Sequence, residues 1–376
     1  MTQHHVIADI DLGKLSKNVE ILKHQVNGAA LMAVVKANAY GHGLIQSAQA
    51  AKRGGADWLA TALLSESIEL RDAGVSGPIL CWLNTPDDEF AQCVAKDIDL
   101  GVNSVETLNS ISAAAKTVGK TARVHVKVDT GLGRNGVTLN DLPDLISALK
   151  SAQNQGNVNV VGVMSHFAYA DEPSNSTIGE QISNFKIAVD ALTDANFELA
   201  VKHLSNSAAT LGLPHTYYNL VRPGVAIYGI SPGPEVGEAP QHGLQPVMRL
   251  RAPIVLLKRV PAGTGVSYAH QYHTTTETTL ALIPAGYADG IPRSASNKGP
   301  IQISGKRFKV AGRVCMDQFV VDIGDTEAKL GDYAVLFGDP ADGEPGLNEW
   351  AQAADTINYE IVTRIGPRVH RNYLNG

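Results

Sequence analysis

The sequence predicts an α/β protein with a second, mainly β domain, and three observations lead there. Short apolar runs alternate with amphipathic stretches through the first two thirds of the 376 residues. A Pro- and Gly-rich segment, Ser231 to Pro246, then breaks the alternation. Beyond it the chain reads as strands joined by short turns, with one late helix. That length suits one large domain or two medium ones. Placing the boundary in the Pro/Gly segment gives domains 1–240 and 241–376.

Eight runs read as strands buried on both faces, because each is short, apolar and closed by a polar residue or glycine. In order they are Leu31–Lys36, Trp58–Leu63, Pro78–Leu83, Ile98–Val102, Arg123–Val128, Val158–Met164, Ala200–Leu204 and Tyr218–Arg222. Apolar residues recur at helical spacing around them. Leu15, Val19, Leu22 and Val26 precede the first run, and Leu44, Ala48 and Ala51 follow it. Val105, Leu108, Ile111 and Ala115 follow the fourth, and Ile182, Phe185, Val189 and Leu192 precede the seventh. Thr85-Pro86 reads as a helix start, Gly119 and Gly156 as helix stops. Eight such units over roughly 230 residues are the size of a (β/α)8 barrel, typically ~250 residues. An open doubly wound sheet permits the same alternation, and periodicity does not separate the two. The helix before the first run is extra to the repeat.

In the second domain Val247–Lys258, Thr279–Ala285, Ile301–Ile303, Lys309–Val314, Phe319–Ile323 and Tyr333–Phe337 read as strands. Ser304-Gly305 suits a hairpin turn and Asn348–Ala354 a helix. Hydrophobic residues at 44% and charged residues at 18% exclude a disordered chain. A net charge of −6 argues against nucleic acid or an anionic membrane as the main partner. Cys81, Cys93 and Cys315 form no C-x-x-C and cannot all pair within one chain, which fits a reducing cytosol. Met1 to Leu12 carries Asp9 and Asp11 and no apolar core, so no signal peptide is expected. No apolar run approaches the ~20 residues that span a bilayer, and a cytoplasmic protein is the expectation. His4 and His5 lack partners at metal-ligand spacing, so no metal is expected.

Candidate functional residues fall just after the strand-like runs, where a barrel would carry its chemistry. Lys36 ends the first run, Arg134 follows the fifth, and His166 follows the sixth. Ser205 follows the seventh, and Arg222, Pro223 and Gly224 end the eighth. Each alone reads equally as a loop residue in solvent; five at corresponding places argue for a site. Ser205 and Gly224 stand where barrels commonly hold a phosphate on backbone N–H groups. Lys36 follows apolar Met32–Val35, and an amine there lends itself to Schiff-base chemistry, the competing reading being a snorkelling lysine. A lysine facing a phosphate cup points to pyridoxal 5'-phosphate. Gly131-Leu132-Gly133-Arg134-Asn135-Gly136 fits G-x-G-x-x-G, but it follows the fifth run and opens no helix, so it reads as a loop delivering Arg134 rather than a dinucleotide site.

Val34–Gly43, VVKANAYGHG, resembles the cofactor-lysine motif of alanine racemases. The likeness continues through KVDTGLGRNG (Lys127–Gly136), MSHFAYAD (Met164–Asp171), HLSNSAA (His203–Ala209) and VRPGVAIYG (Val221–Gly229). GVSYAHQY (Gly265–Tyr272), IPAGYADG (Ile283–Gly290), GRVCMDQ (Gly312–Gln318) and NYEIVTRIGPRV (Asn358–Val369) carry it through the second domain. The resemblance implies a fold-type III enzyme: an N-terminal (β/α)8 TIM barrel, a C-terminal mainly β domain and a homodimer with shared active sites. It implies a racemase interconverting L- and D-alanine by two bases and supplying D-alanine for peptidoglycan. A broad-specificity or serine racemase, a cofactor-carrier protein and a fold-type III decarboxylase are the alternatives.

The residue roles that follow are those the resemblance implies. Lys36 is one base and Tyr268 the other, with His166 and Arg222 linked to the tyrosine. Arg222 also faces the cofactor's pyridine nitrogen. Tyr40, Ser205, Gly224, Val225 and Tyr359 match the phosphate-binding positions. Arg134 and Met316 match the substrate-carboxylate positions, while Asp171, Arg293 and Arg313 resemble residues of the channel by which substrate arrives; surface ion pairing is the competing reading for these three. Lys127 alternates with Val124, Val126 and Val128 on the opposite strand face, close before Arg134. In several relatives the matching lysine is N-carbamylated, and the same is expected here; pairing with Asp129 or a bound chloride is the competing account.

Overall fold

Strand pairing decides between the two architectures that periodicity leaves open. The structure is a computed structural model that describes residues 6–85 and 88–376, so His4, His5 and Pro86 lie outside the described residues. The chain divides into two compact units. After a first strand, β1 (Ile7–Asp11), the eight apolar runs form β2 (Ala30–Val34), β3 (Trp58–Thr61), β4 (Ile79–Cys81), β5 (Asp99–Val102), β6 (Ala122–Lys127), β7 (Val158–Met164), β8 (Val201–His203) and β9 (Leu220–Val221). They are hydrogen-bonded in the order β8-β7-β6-β5-β4-β3-β2-β9, with every pair parallel. The two ends of this sheet meet: the N–H of Arg222, just past β9, donates to the carbonyl of Ser205, just past β8, at 2.9 Å. The sheet is thus a nearly closed (β/α)8 barrel, and the open sheet is excluded.

The local reasons for these elements are visible in their burial. Every residue of β3, β4 and β5 is buried, as continuous apolar runs covered on both faces require. The helix Leu12–Gln25 buries Leu15, Val19 and Leu22 completely. The helix Val105–Val118 starts where Ser104 Oγ accepts from Thr107 N and stops at Gly119, whose φ of +70° few other residues tolerate. The helix expected from Thr85-Pro86 runs over Phe90–Ala95 instead. Just ahead of that helix the Asp88 carboxylate accepts from Thr85 N at 2.6 Å and its carbonyl from Phe90 N at 2.9 Å.

The second unit consists of the described residues up to Lys14, Tyr40–Gly43 and Gln245–Gly376. Its strands are β10 (Met248–Pro253), β11 (Leu256–Val260), β12 (Gly265–Val266), β13 (Tyr272–His273), β14 (Thr278–Ile283), β15 (Pro300–Ile303), β16 (Lys306–Ala311), β17 (Phe319–Gly324), β18 (Tyr333–Phe337) and β19 (His370–Leu374). Nine form one sheet in the order β11-β14-β17-β16-β15-β18-β10-β1-β19, and β12 pairs with β13. The N-terminal strand β1 belongs to this sheet although it precedes the barrel strands in sequence. The reason is pairing over great sequence distance. Asp9 on β1 accepts from Arg251 Nε on β10 at 2.6 Å and from Asn372 Nδ2 on β19 at 2.7 Å. The run Val247–Lys258 proves to be two strands, β10 paired with β1 and β18, and β11 paired with β14.

Within the barrel, Gly162 on β7 sits in register with His125 on β6 and Val201 on β8. A Cβ there would come within 2.6 Å of Val201 and 3.1 Å of His125 Nδ1. Gly162→Ala is therefore expected to overpack the sheet by about 1–3 kcal/mol. A denaturant midpoint unchanged from wild type would remove this account of the glycine.

Candidate active site

Lys36 stands two residues past β2, at the start of an unusual turn. Ala37, Asn38, Ala39 and Tyr40 all have φ of 53–54°, a left-handed run without glycine. Such backbone costs about 1–2 kcal/mol per residue and persists only where surroundings enforce it. Glu66 does most of that. Its Oε1 accepts from Ala37 N at 2.6 Å and Asn38 N at 3.4 Å, while Oε2 accepts from Ala62 N at 3.0 Å and Leu63 N at 3.1 Å. One carboxylate thus joins the loop after β2 to the loop after β3. Ala39 N donates to Val35 O at 2.8 Å, and Asn38 Oδ1 caps the next helix at Leu44 N.

Arg134 is carried by a loop after β6 that closes on itself. Val137 N donates to Lys127 O at 2.8 Å, and Asp129 N to Val137 O at 2.9 Å. Asp129 Oδ1 gathers the N–H groups of Gly131, Leu132 and Gly133 at 2.9–3.1 Å. Gly136 is required here, because a Cβ would sit 2.4 Å from Asp129 N and its φ is +135°. The G-x-G-x-x-G pattern is therefore a structural hairpin, and the next helix begins only at Leu142. His166 follows β7, its backbone held by buried Gln181, whose Nε2 donates to His166 O at 3.0 Å and to Thr130 Oγ1 at 3.1 Å.

The last two barrel strands end in buried polar groups. Arg222 is buried with every Nη hydrogen engaged. Nη1 reaches His203 O at 2.6 Å and His203 Nδ1 at 3.2 Å; Nη2 reaches Ser165 O at 2.6 Å and Leu204 O at 3.2 Å. Ser205 is also buried, and its Oγ lies 2.8 Å from both Thr216 O and Thr216 Oγ1. Ser207 Oγ accepts from Gly224 N at 2.8 Å and Ala226 N at 3.3 Å, at the start of a short 3-10 turn, Val225–Tyr228. Ser207, Glu66, Asp129 and Gln181 are the shaping residues that sequence reading missed. Asp129 and Ser207 lie within the motifs quoted above without having been given these roles, and Gln181 stands four residues before Phe185 on the buried helix face.

Electrostatics binds these groups into one pocket. Burial, then the Arg134 cation, holds the Lys36 ammonium below its ordinary pKa, against an opposing pull from Glu66. Burial and the cations Arg222, Arg134 and Lys36 push Lys127 down to about 8. Burial and the same cations with Lys127 hold His166 well below the usual histidine range, so its ring is neutral at pH 7. Burial brings Arg222 down to about 10, still charged at pH 7. Four basic side chains thus act on one another at the barrel mouth, while Glu66 and Asp129 are already engaged by backbone N–H groups. That excess of positive charge around a lysine whose pKa is lowered fits an anionic, phosphate-bearing aldehyde. Among the described residues no cluster suits a metal ion.

The remaining predicted residues are placed as follows. In the second unit, Tyr40 is buried, its ring centroid 6.2 Å from that of Tyr359, and burial pushes its phenol pKa up. Tyr268 lies in the turn between β12 and β13, beside two left-handed neighbours, Ser267 and Ala269. It is 70% exposed, and Met316 is 54% exposed. Arg293 is exposed and Arg313 half-buried, while Asp171, in the barrel unit, is exposed.

Fold and site together define a (β/α)8-barrel protein with a lysine amine set among other cations at the strand ends. Residues 10–232 match the alanine racemase N-terminal domain and 247–373 the alanine racemase C-terminal domain. An alanine racemase of Frankia casuarinae is 52% identical over 98% of this chain and 96% of its own length. The crystal structure of an alanine racemase from D-cycloserine-producing Streptomyces lavendulae superposes with a TM-score of 0.98 at 51% identity, covering 100% of this chain and 98% of that one. That of Streptomyces coelicolor gives 0.97 at 48% identity, covering 99% and 98%. The chain belongs to the alanine racemase family, isomerases that act on amino acids and use pyridoxal phosphate. No helix among the described residues is long and apolar enough to cross a membrane.

Glu66→Ala should release the Lys36 turn. Amide hydrogen exchange at Ala37 is expected to quicken by about tenfold or more, since a bond to a charged acceptor contributes about 1.5–3 kcal/mol. Unchanged exchange there would show that the turn holds without the carboxylate.

Proposed function

We propose that this protein racemises alanine with two bases on opposite faces of the substrate, in the cytoplasm, and so supplies D-alanine for peptidoglycan. One observation carries the reading: a lysine with a lowered pKa at a barrel strand's carboxyl end, among cations that outweigh the carboxylates acting on them. Lys36 would hold pyridoxal phosphate through Nζ. Arg222 would face the ring nitrogen, and Ser205, Gly224, Val225, Tyr40 and Tyr359 would serve the phosphate. Bound there, the cofactor supplies an electron sink that acidifies the substrate's α C–H.

The protein's own groups do the rest. Lys36 Nζ, once the substrate's amine has displaced it from the cofactor, would take or return the α-proton on one face, burial and Arg134 favouring its neutral form. Tyr268 Oη does so on the other. A free phenol has pKa ~10, so a tyrosine base needs help. His166 is neutral and offers a hydrogen bond, leaving Arg222 to provide positive charge. A guanidinium only donates, so Arg222 would meet the ring nitrogen as a donor and would not be a partner for a protonated one. Arg134 and Met316 serve the substrate carboxylate; Asp171, Arg293 and Arg313 line its approach. The exposure of Tyr268 and Met316 in a single chain supports a homodimer that covers them and shares its sites.

Lys127 fits the scheme as a carbamate. With its pKa near 8, roughly a tenth of the amine is neutral at pH 7. The ammonium first gives one proton to solvent; neutral Nζ then attacks CO2 to form an N–C bond and loses a second proton, so a cation becomes an anion able to accept from Arg134.

Incubating the cofactor-loaded protein with L-alanine, L-serine and L-lysine and measuring product chirality tests the function; preference for either of the others over alanine would redirect it. Borohydride reduction with peptide mapping should place the pyridoxyl group on Lys36, and a label on Lys127 would sink the assignment. Mixing inactive Lys36→Ala and Tyr268→Phe chains should restore part of the activity, since one hybrid site carries both intact residues. No recovery after demonstrated subunit exchange would count against shared sites. For Lys127, carbon-13 NMR after labelled bicarbonate should show a carbamate, and Lys127→Ala should lose activity that acetate partly restores. A fully active enzyme with an unmodified ammonium would end that proposal.

A further inference from the structure

A chain of polar side chains, buried from Asp99 inward and joined at its outer end by the exposed Arg123, crosses the barrel interior behind Arg222. Arg123 Nε and Nη2 grip Asp99 Oδ1 and Oδ2 at 2.8 and 3.1 Å. Asp99 Oδ2 lies 3.2 Å from His125 Nε2, His125 Nδ1 lies 2.9 Å from His203 Nε2, and His203 Nδ1 lies 3.2 Å from Arg222 Nη1. His125 and His203 are fully buried and Asp99 nearly so. The imidazole pair crosses over β7 at Gly162, whose missing Cβ leaves the room.

We propose that Asp99 is a positioning residue for Arg222, acting through two imidazoles whose tautomers it fixes. The direction of every bond follows from chemistry alone. A guanidinium has no acceptor, so His203 Nδ1 must accept and the His203 proton must sit on Nε2. Nε2–H then donates to His125 Nδ1, which places the His125 proton on Nε2, facing Asp99 Oδ2. Only an acceptor can stand there, and an ionised carboxylate is one. Burial favours protonated Asp99, but bonds from His125 and Arg123 outweigh it and hold its pKa below the ordinary value. Burial and the Arg222 charge keep His203 neutral. The order is cation, neutral ring, neutral ring, anion, cation.

The consequence reaches the site through Arg222. All four Nη hydrogens are engaged, so among the described residues Nε–H is the guanidinium donor left over. With the tautomers reversed, His203 Nδ1–H would point at Arg222 Nη1–H, and the two donors would push the guanidinium from its seat. The meaning of that seat for racemisation rests on the role of Arg222 proposed above; the tautomers do not.

The test is long-range proton–nitrogen NMR on the holoenzyme with nitrogen-15 histidine, the two rings being assigned by the contact between them, 5.1 Å between centroids. Both rings should carry hydrogen on Nε2 and none on Nδ1. Hydrogen on Nδ1 of either ring in the wild-type enzyme overturns the proposal. In Asp99→Asn, Arg123 holds the amide oxygen, which turns the amide NH2 toward His125 and should move both protons to Nδ1. The turnover number should fall by about 10–100-fold, as for outer partners of other sites, with KM changed far less. A folded Asp99→Asn enzyme with unchanged tautomers would overturn the role of Asp99, and if that variant fails to fold the wild-type spectrum decides. Wild-type protein without racemase activity but with both protons on Nε2 would support the relay while refuting the function proposed above.

Discussion

Positive charge gathered where no free carboxylate stands beside it is the constraint on which the barrel mouth depends. Taking a guanidinium out of water costs several kcal/mol unless its donors are met and its charge is answered. Arg222 meets the first demand with three carbonyls and an imidazole. Its nearest anion along that network is Asp99, two rings away. Lys36, Lys127 and Arg134 add to the same field; burial first and then this field lower the pKa values of both lysines and of His166. An anionic group lodged among them lowers the energy of the whole set.

Holding several cations close together also demands rigid backbone, and the protein uses one solution twice. A carboxylate collects backbone N–H groups that point inward in non-repetitive loops. Glu66 does this for the left-handed turn after β2, and Asp129 does it for the hairpin that carries Arg134. Both acids are thereby bound to main chain and held from collapsing onto the lysines. Strain concentrated in Ala37–Tyr40 is tolerated because the barrel and Glu66 over-determine that path.

Much of the barrel was legible in the sequence because parallel strands buried on both faces must be continuously apolar. All eight runs became strands, shortened by a residue or more where polar ends such as Lys36 and Arg222 leave the sheet. Barrel closure was not legible, since apolar runs do not record which edge strands meet. β1 and β19 were missed for a related reason: Ile7–Asp11 and His370–Leu374 carry polar residues whose partners lie hundreds of positions away in sequence.

The same division runs through the site. Lys36, Arg134, His166, Ser205 and Arg222 were marked by sequence alone, because a polar residue closing an apolar run is conspicuous and a barrel puts its chemistry at strand ends. Tyr268 was marked only by resemblance, since nothing in its immediate surroundings distinguishes it from a loop tyrosine. What tertiary structure decided is how those groups are held and charged. Glu66 and Asp129 look like ordinary surface acids in the sequence, and Asp99, His125 and His203 like scattered polar residues in apolar strands. Only folding places their atoms within hydrogen-bond reach, and pKa and tautomer depend on that distance and on the loss of water, neither of which a linear order of residues contains.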